Sequence, residues 1–214
     1  MKRMLAATLA IGAAAAIGVG SVELSAATTT FSLTPNPKFE ACLAQFPGDP
    51  TRPPTATVTV TRGPLSDMLQ VKVANIKPKL QFDLFTVQNS ALGPDGNPDP
   101  GFTGSFGLAW YQSDLKANNL GTGSASIKTI LLDEIFGFDA TVGLPPTNTF
   151  HVGFWFDNPQ DAAPCGFDVT KPTPFNGDHK AGPVAMISLP DAATHLGPLC
   201  TNPDFSTSPP TCHP

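Results

Sequence analysis

Between Thr149 and Pro159 the chain runs Thr-Phe-His-Val-Gly-Phe-Trp-Phe-Asp-Asn-Pro. Phe150, Val152, Phe154 and Phe156 fall on alternate residues, with Thr149, His151, Gly153, Trp155 and Asp157 between them. Side chains of a strand change face at every residue, so this predicts a strand with one aromatic face in a core. Asp157-Asn158-Pro159 ends it, because proline cannot donate to a ladder and Asx residues favour turns. The same alternation, with β-branched residues, marks Thr57–Thr61, Leu69–Val73, Leu80–Leu84, Ser105–Gln112, Ser124–Ile130 and Pro183–Leu189 as strands.

Proline (24) and glycine (19) make up a fifth of the 214 residues and fall between these runs. Short strands separated by turn formers point to an all-β chain. The expected fold is a single antiparallel, immunoglobulin-like β-sandwich of about seven strands with short peripheral helices. Those helices are expected over Asn36–Pro47, near Leu131–Gly137 and after Asp191, where prolines, Asx caps or clustered apolar residues fit a helical turn.

The beginning has its own character. Met1-Lys2-Arg3-Met4 precedes an alanine-rich apolar run to Gly20, and Ser25-Ala26-Ala27 supplies small residues. That layout is a secretory signal peptide, with cleavage expected before Thr28. The run is too poor in large apolar residues to favour a membrane anchor, so no membrane span is expected after cleavage. The chain therefore divides into a signal at 1–27, an N-terminal helix and Pro-rich linker at 28–56, a sandwich at 57–200 and a Pro/Ser/Thr-rich tail at 201–214. Removing Lys2, Arg3 and Glu23 takes 12 basic and 17 acidic residues to 10 and 16, a net charge of −6. Nucleic acid prefers a basic face, so it is not an expected partner.

Four cysteines, Cys42, Cys165, Cys200 and Cys212, are an even number in an exported chain and read as two disulfides. The favoured pairing is Cys165–Cys200, across the last strand, with Cys42–Cys212 fastening the ends. The alternative is Cys42–Cys165 with a local Cys200–Cys212 bridge.

No catalytic set stands out. Asp95-Gly-Asn-Pro-Asp-Pro-Gly101 alternates oxygen ligands, but Pro100 and Phe106 stand where an EF-hand needs Gly and Glu. His151, His179, His195 and His213 form no local metal motif, Gly-x-Ser-x-Gly is absent, and Gly121-Thr122-Gly123 lacks the lysine of a phosphate loop. Neither metal nor cofactor is expected. A ligand, if one binds, is expected on the solvent side of the Phe150 strand. There His151 and Trp155 would stand about 13 Å apart across the side-chain-free Gly153, with Asp157 and its loop as a wall. The reading favoured over this one is that Trp155 is simply covered, by the Asp157–Gly166 loop or by the N-terminal helix.

Gly104-Ser105-Phe106 and Gly121-Thr122-Gly123-Ser124-Ala125-Ser126, following the Val-rich strands, resemble bacterial exported immunoglobulin-like sandwiches. His179-Lys180-Ala181-Gly182-Pro183-Val184 resembles the lead-in to the last strand of chordin-type domains. Those domains carry paired histidines on the preceding strand, where this chain has His151 alone. Phe154 to Asp161 resembles exported bacterial proteins of no known activity, a likeness that transfers no site residues. The function expected is a secreted, non-catalytic binding or surface-interaction module with an extracellular ligand or protein partner. An extracellular enzyme with a dispersed, metal-dependent site and a structural envelope protein are the alternatives.

Overall fold

A computed structural model describes residues 28–63, 66–129, 148–173, 181–201, 203–204, 206–207 and 211–212. The chain is predominantly β. In order come β1 (Thr28–Pro35), the short helix α1 (Glu40–Leu43), β2 (Thr55–Thr61), β3 (Asp67–Ala74), β4 (Gln81–Val87), β5 (Ala109–Lys116) and β6 (Gly123–Thr129). They are followed by β7 (Thr149–Phe156), β8 (Val184–Ile187), β9 (Leu199–Cys200), β10 (Pro203–Asp204) and β11 (Thr211–Cys212). Among the described residues, nine strands make one antiparallel sheet in the order β5-β4-β7-β8-β1-β2-β3-β6, with β9 against the start of β7. The last two strands form a separate hairpin.

This differs from two stacked sheets of about seven strands. β1 pairs with β2 from Thr28 to Leu33 and then with β8 at Thr34 and Pro35, so one strand joins both halves. The end strands β5 and β6 are in turn linked by the Ala117–Thr122 turn, where Asn118 donates to Thr122 through its backbone N–H and its side chain, each at 2.8 Å. Joined on both sides, the sheet curls almost into a barrel.

Residues 28–35 were expected to lie outside the sheet; they are one of its central strands. The expected helix over Asn36–Pro47 contracts to α1, because Asn36 spends its side chain on an Asx turn with Lys38 N–H (3.2 Å). The Ser105–Gln112 strand begins instead at Ala109. Gly104 (φ 92°) and Gly107 (φ 67°) adopt left-handed backbone that breaks a ladder, and the strand that follows buries Ala109 and exposes Trp110. The helical turn near Leu131 and the residues His179 and Lys180 lie outside the described residues.

The alternation of β7 works as read. Phe150, Val152, Phe154 and Phe156 enter the main core with Val58, Leu69, Val71 and Leu84, and the Phe82 ring lies 4.8 Å from Phe154 and 5.6 Å from Phe156. The opposite face of β4 and β7 carries a second apolar cluster, containing Phe85, Val87, Leu92, Phe106, Trp155 and Ile187. The connection from β4 to β5, residues 88–108, folds over that face and supplies Leu92 and Phe106.

The disulfides are Cys42–Cys165 and Cys200–Cys212, not the favoured pairing. Geometry across β7 is the reason. Cys200 pairs with Thr149 at the start of the strand, whereas Cys165 follows Phe156 at its finish, roughly 23 Å away along the strand. At that finish α1 packs against the 3-10 turn Ala163–Cys165, with a Cα–Cα distance of 6.1 Å between Cys42 and Cys165. The β10–β11 hairpin sets Cys212 opposite Pro203 and so returns it to Cys200.

Candidate functional site

His151 and Trp155 lie on one face of β7, as alternation requires, but that face does not meet solvent. Both side chains are 0% exposed. The Trp155 indole sits in T-shaped contact with Phe85 (5.1 Å) and Phe106 (5.2 Å). Gly153 leaves no gap either, since a Cβ there would meet the Met186 carbonyl at 3.0 Å and Ile187 at 3.1 Å. The expected groove is filled by β8 and the 88–108 connection rather than by the Asp157–Gly166 loop. Asp157 is half-buried, and its backbone N–H donates to the Gln81 carbonyl at 3.0 Å.

His151 occupies an unusual position for a polar side chain. Its Nδ1 lies 2.8 Å from the Ser188 carbonyl and 3.2 Å from Ser188 Oγ. A carbonyl only accepts, so Nδ1 carries the proton and Nε2 holds a lone pair. Among the described residues, that Nε2 has no hydrogen-bond partner. Burial pushes the imidazole down to about 4, against a smaller upward pull from the Ser188 carbonyl, so the ring is neutral at pH 7.

The segment Ser188–Pro198, after β8, crosses the start of β7 as a strap. Ser188 N–H donates to the Val152 carbonyl (2.9 Å), and Val152 N–H donates to Ser188 Oγ (3.1 Å). Further along, Asp191 caps a turn: its Oδ1 accepts from Thr194 N–H (2.9 Å) and Ala193 N–H (3.0 Å), bonds that hold the carboxyl below its usual range. Gly197 then presses onto β7, where a Cβ would overlap the Phe150 carbonyl and stand 2.6 Å from His151 N. Backbone cannot yield as a side-chain tip can. Gly197→Ala is therefore expected to cost about 1–3 kcal/mol, read as a lower denaturant midpoint with an unchanged slope.

Between this strap and the 88–108 connection lies a cleft of about 320 Å³. Asn89, Ser90, Asp99, Thr103 and Ser105 contribute polar groups from the connection, and His195 from the strap. Leu92, Phe102 and Pro190 supply apolar wall. The connection is stiffened from within. Asp99 N–H donates to the Ala91 carbonyl (3.1 Å), Gly93 N–H to the Asn97 carbonyl (2.8 Å), and Asn89 Nδ2 to the Ser105 carbonyl (3.2 Å).

No protein-family model matches the chain, and neither a curated protein nor a solved structure is significantly similar to it. The chemistry of the cleft has to be read from its own atoms.

Ser90, His195 and Asp99 share the cleft with Ser105, yet these three are not wired as a nucleophile and its base. Ser90 Oγ accepts from Leu92 N–H (3.0 Å), Asp99 Oδ1 accepts from Gly101 N–H (2.8 Å), and neither bonds His195. An activated serine needs its base within hydrogen-bond reach and that base oriented by a third group. The Asp95–Gly101 loop is likewise occupied with itself. Asp95 accepts from the side chain and the backbone N–H of Asn97 (2.9 and 3.0 Å), which holds its carboxyl below the usual range. Among the described residues, no group of three His, Cys, Asp or Glu is placed to hold a metal ion.

Of the cleft residues, the sequence draws attention to Asp99 and Gly101, within the run of oxygen ligands, and to His195, each weighed for a metal and not for a shared cleft. The available signal was the long turn-rich interruption after β4, since ordered connections of that length are commonly functional. His195 joins them only through the strap.

Proposed function

We propose that this protein is an exported, non-catalytic binding module whose ligand sits in the cleft between the 88–108 connection and the Ser188–Pro198 strap. The ligand class that fits is a small, neutral, hydroxyl-rich molecule of monosaccharide size. One observation carries this reading: a cleft of about 320 Å³ in which hydroxyl, amide, carboxylate and imidazole groups converge beside Phe102. Concave sites that mix an apolar wall with a few placed polar groups are the usual form of a small-ligand pocket. The separation of Ser90, Asp99 and His195 favours binding over hydrolysis. Export is supported by the signal-like leader and by two disulfides, which persist in oxidising compartments. Among the described residues, no helix is long and apolar enough to cross a membrane. We read the curled sheet as a variant of the immunoglobulin-like arrangement in which β1 serves both halves.

Saturation-transfer NMR against a panel of neutral monosaccharides and small polyols tests the reading. Transfer to at least one of them is expected, with affinity weakened about tenfold or more in Asp99→Ala and His195→Ala, and no product formed on long incubation. Silence across the panel, or equal binding by both variants, would remove the cleft as the site. Product formation would replace the binding module with an enzyme.

A further inference from the structure

We propose that His151 is an acid-operated latch that releases the Ser188–Pro198 strap and opens one wall of the cleft. His151 lies under the strap and is tied to its first residue through the Ser188 carbonyl. A neutral imidazole suits this position, since Nδ1–H is satisfied and Nε2 costs only an unused acceptor. Protonation changes the balance. Nε2 becomes a second N–H donor on a cation, enclosed where the described residues offer it no acceptor.

Among the described residues, no neighbouring charge relieves that cation. The ionisable groups on the elements packed around it are Asp83 on β4, Asp95 and Asp99 on the 88–108 connection, and Asp191 and His195 on the strap. None of them hydrogen-bonds the imidazole, whose partners among the described residues are both on Ser188. β8 and β9 contribute no ionisable side chain, Cys200 being in a disulfide.

The strap is the element most easily moved. β4 and β8 are laddered to β7 and covered by apolar side chains, whereas residues 191–195 are exposed and bonded largely to one another. Lifting the strap gives Nε2 water at the loss of the Ser188 bonds and the Gly197 contact. Because Pro190 and His195 ride on the strap, the same motion opens the cleft. The release itself needs no ligand; its effect on a bound ligand rests on the binding reading given above.

Hydrogen exchange from pH 7.5 to 4.5, expressed as protection relative to intrinsic rates, reads the latch directly. The ring is depressed from 6.5 to about 4 in the closed form. Strap amides from Ser188 to Gly197 should therefore lose up to about 100-fold of their protection by pH 4.5, while β2 and β3 keep theirs. His151→Asn, which retains a donor near Nδ1 and cannot titrate, should abolish the loss. Flat protection in the natural protein overturns the latch, as does equal loss in the variant or loss shared by β2 and β3. Should the variant not fold, the His151 imidazole is followed by NMR in the natural protein. A midpoint well below 6.5 that coincides with strap shifts supports the proposal, and a midpoint near 6.5 overturns it.

Discussion

Replacing Cys42 and Cys165 together by serine is expected to lower the unfolding free energy by about 5 kcal/mol. The bridge spans 123 residues and ties α1 to the turn that follows β7, so its removal frees a long closed loop in the unfolded ensemble. The Cys200–Cys212 bridge closes only 12 residues, and the same chain-entropy argument gives about 3 kcal/mol. Denaturant melts of the two double variants should therefore differ by about 2 kcal/mol. The ordering is the sharp part. If loss of Cys200–Cys212 proved as costly as loss of Cys42–Cys165, the short bridge would have to be holding native contacts. The candidate for such a contact is the Arg62 guanidinium, which donates to the Cys200 carbonyl while paired with Asp67 at 2.7 Å.

Trp155→Ala should cost about 3–5 kcal/mol, as expected for the truncation of a fully buried large aromatic whose cavity cannot close. In a domain of this size that corresponds to a fall in Tm of about 6–20 °C. Three features make collapse difficult. Phe85 is fixed in β4, Phe106 is fixed by the bonds that Gln88 and Asn89 N–H make to its carbonyl (3.1 and 3.0 Å), and Gly153 is already tight against Met186 and Ile187. Trp110, 39% exposed on β5, is the internal control, and Trp110→Ala should stay within about 0.5 kcal/mol of the natural protein. Thermal melts of the two variants distinguish a core indole from a surface one. A small effect at Trp155 and a large one at Trp110 would exchange their roles.

Much of the strand content was legible because period-two alternation is a local property. Thr57–Thr61, Leu69–Val73 and Phe150–Phe156 each show their buried face in their own residues, and the structure buries those faces. β1 carried the same signal in Thr28 to Leu33, but weakly, since only Phe31 and Leu33 are large and apolar. Two matters could not be read locally. One was the pairing of the cysteines, which depends on which end of β7 each cysteine reaches and hence on the roughly 23 Å between those ends. The other was the exposure of the second face of β7. Alternation correctly placed His151, Gly153 and Trp155 together, but a sequence pattern cannot tell a face open to water from one roofed by a distant segment. The roof is the 88–108 connection, steered over Trp155 by left-handed backbone at Gly104 and Gly107. The sequence by itself thus determined the strands and the direction of their side chains, because these follow from backbone geometry at each residue. Only the tertiary structure decided the sheet order, the disulfides and the cleft, because each requires segments far apart in the chain to arrive at the same place.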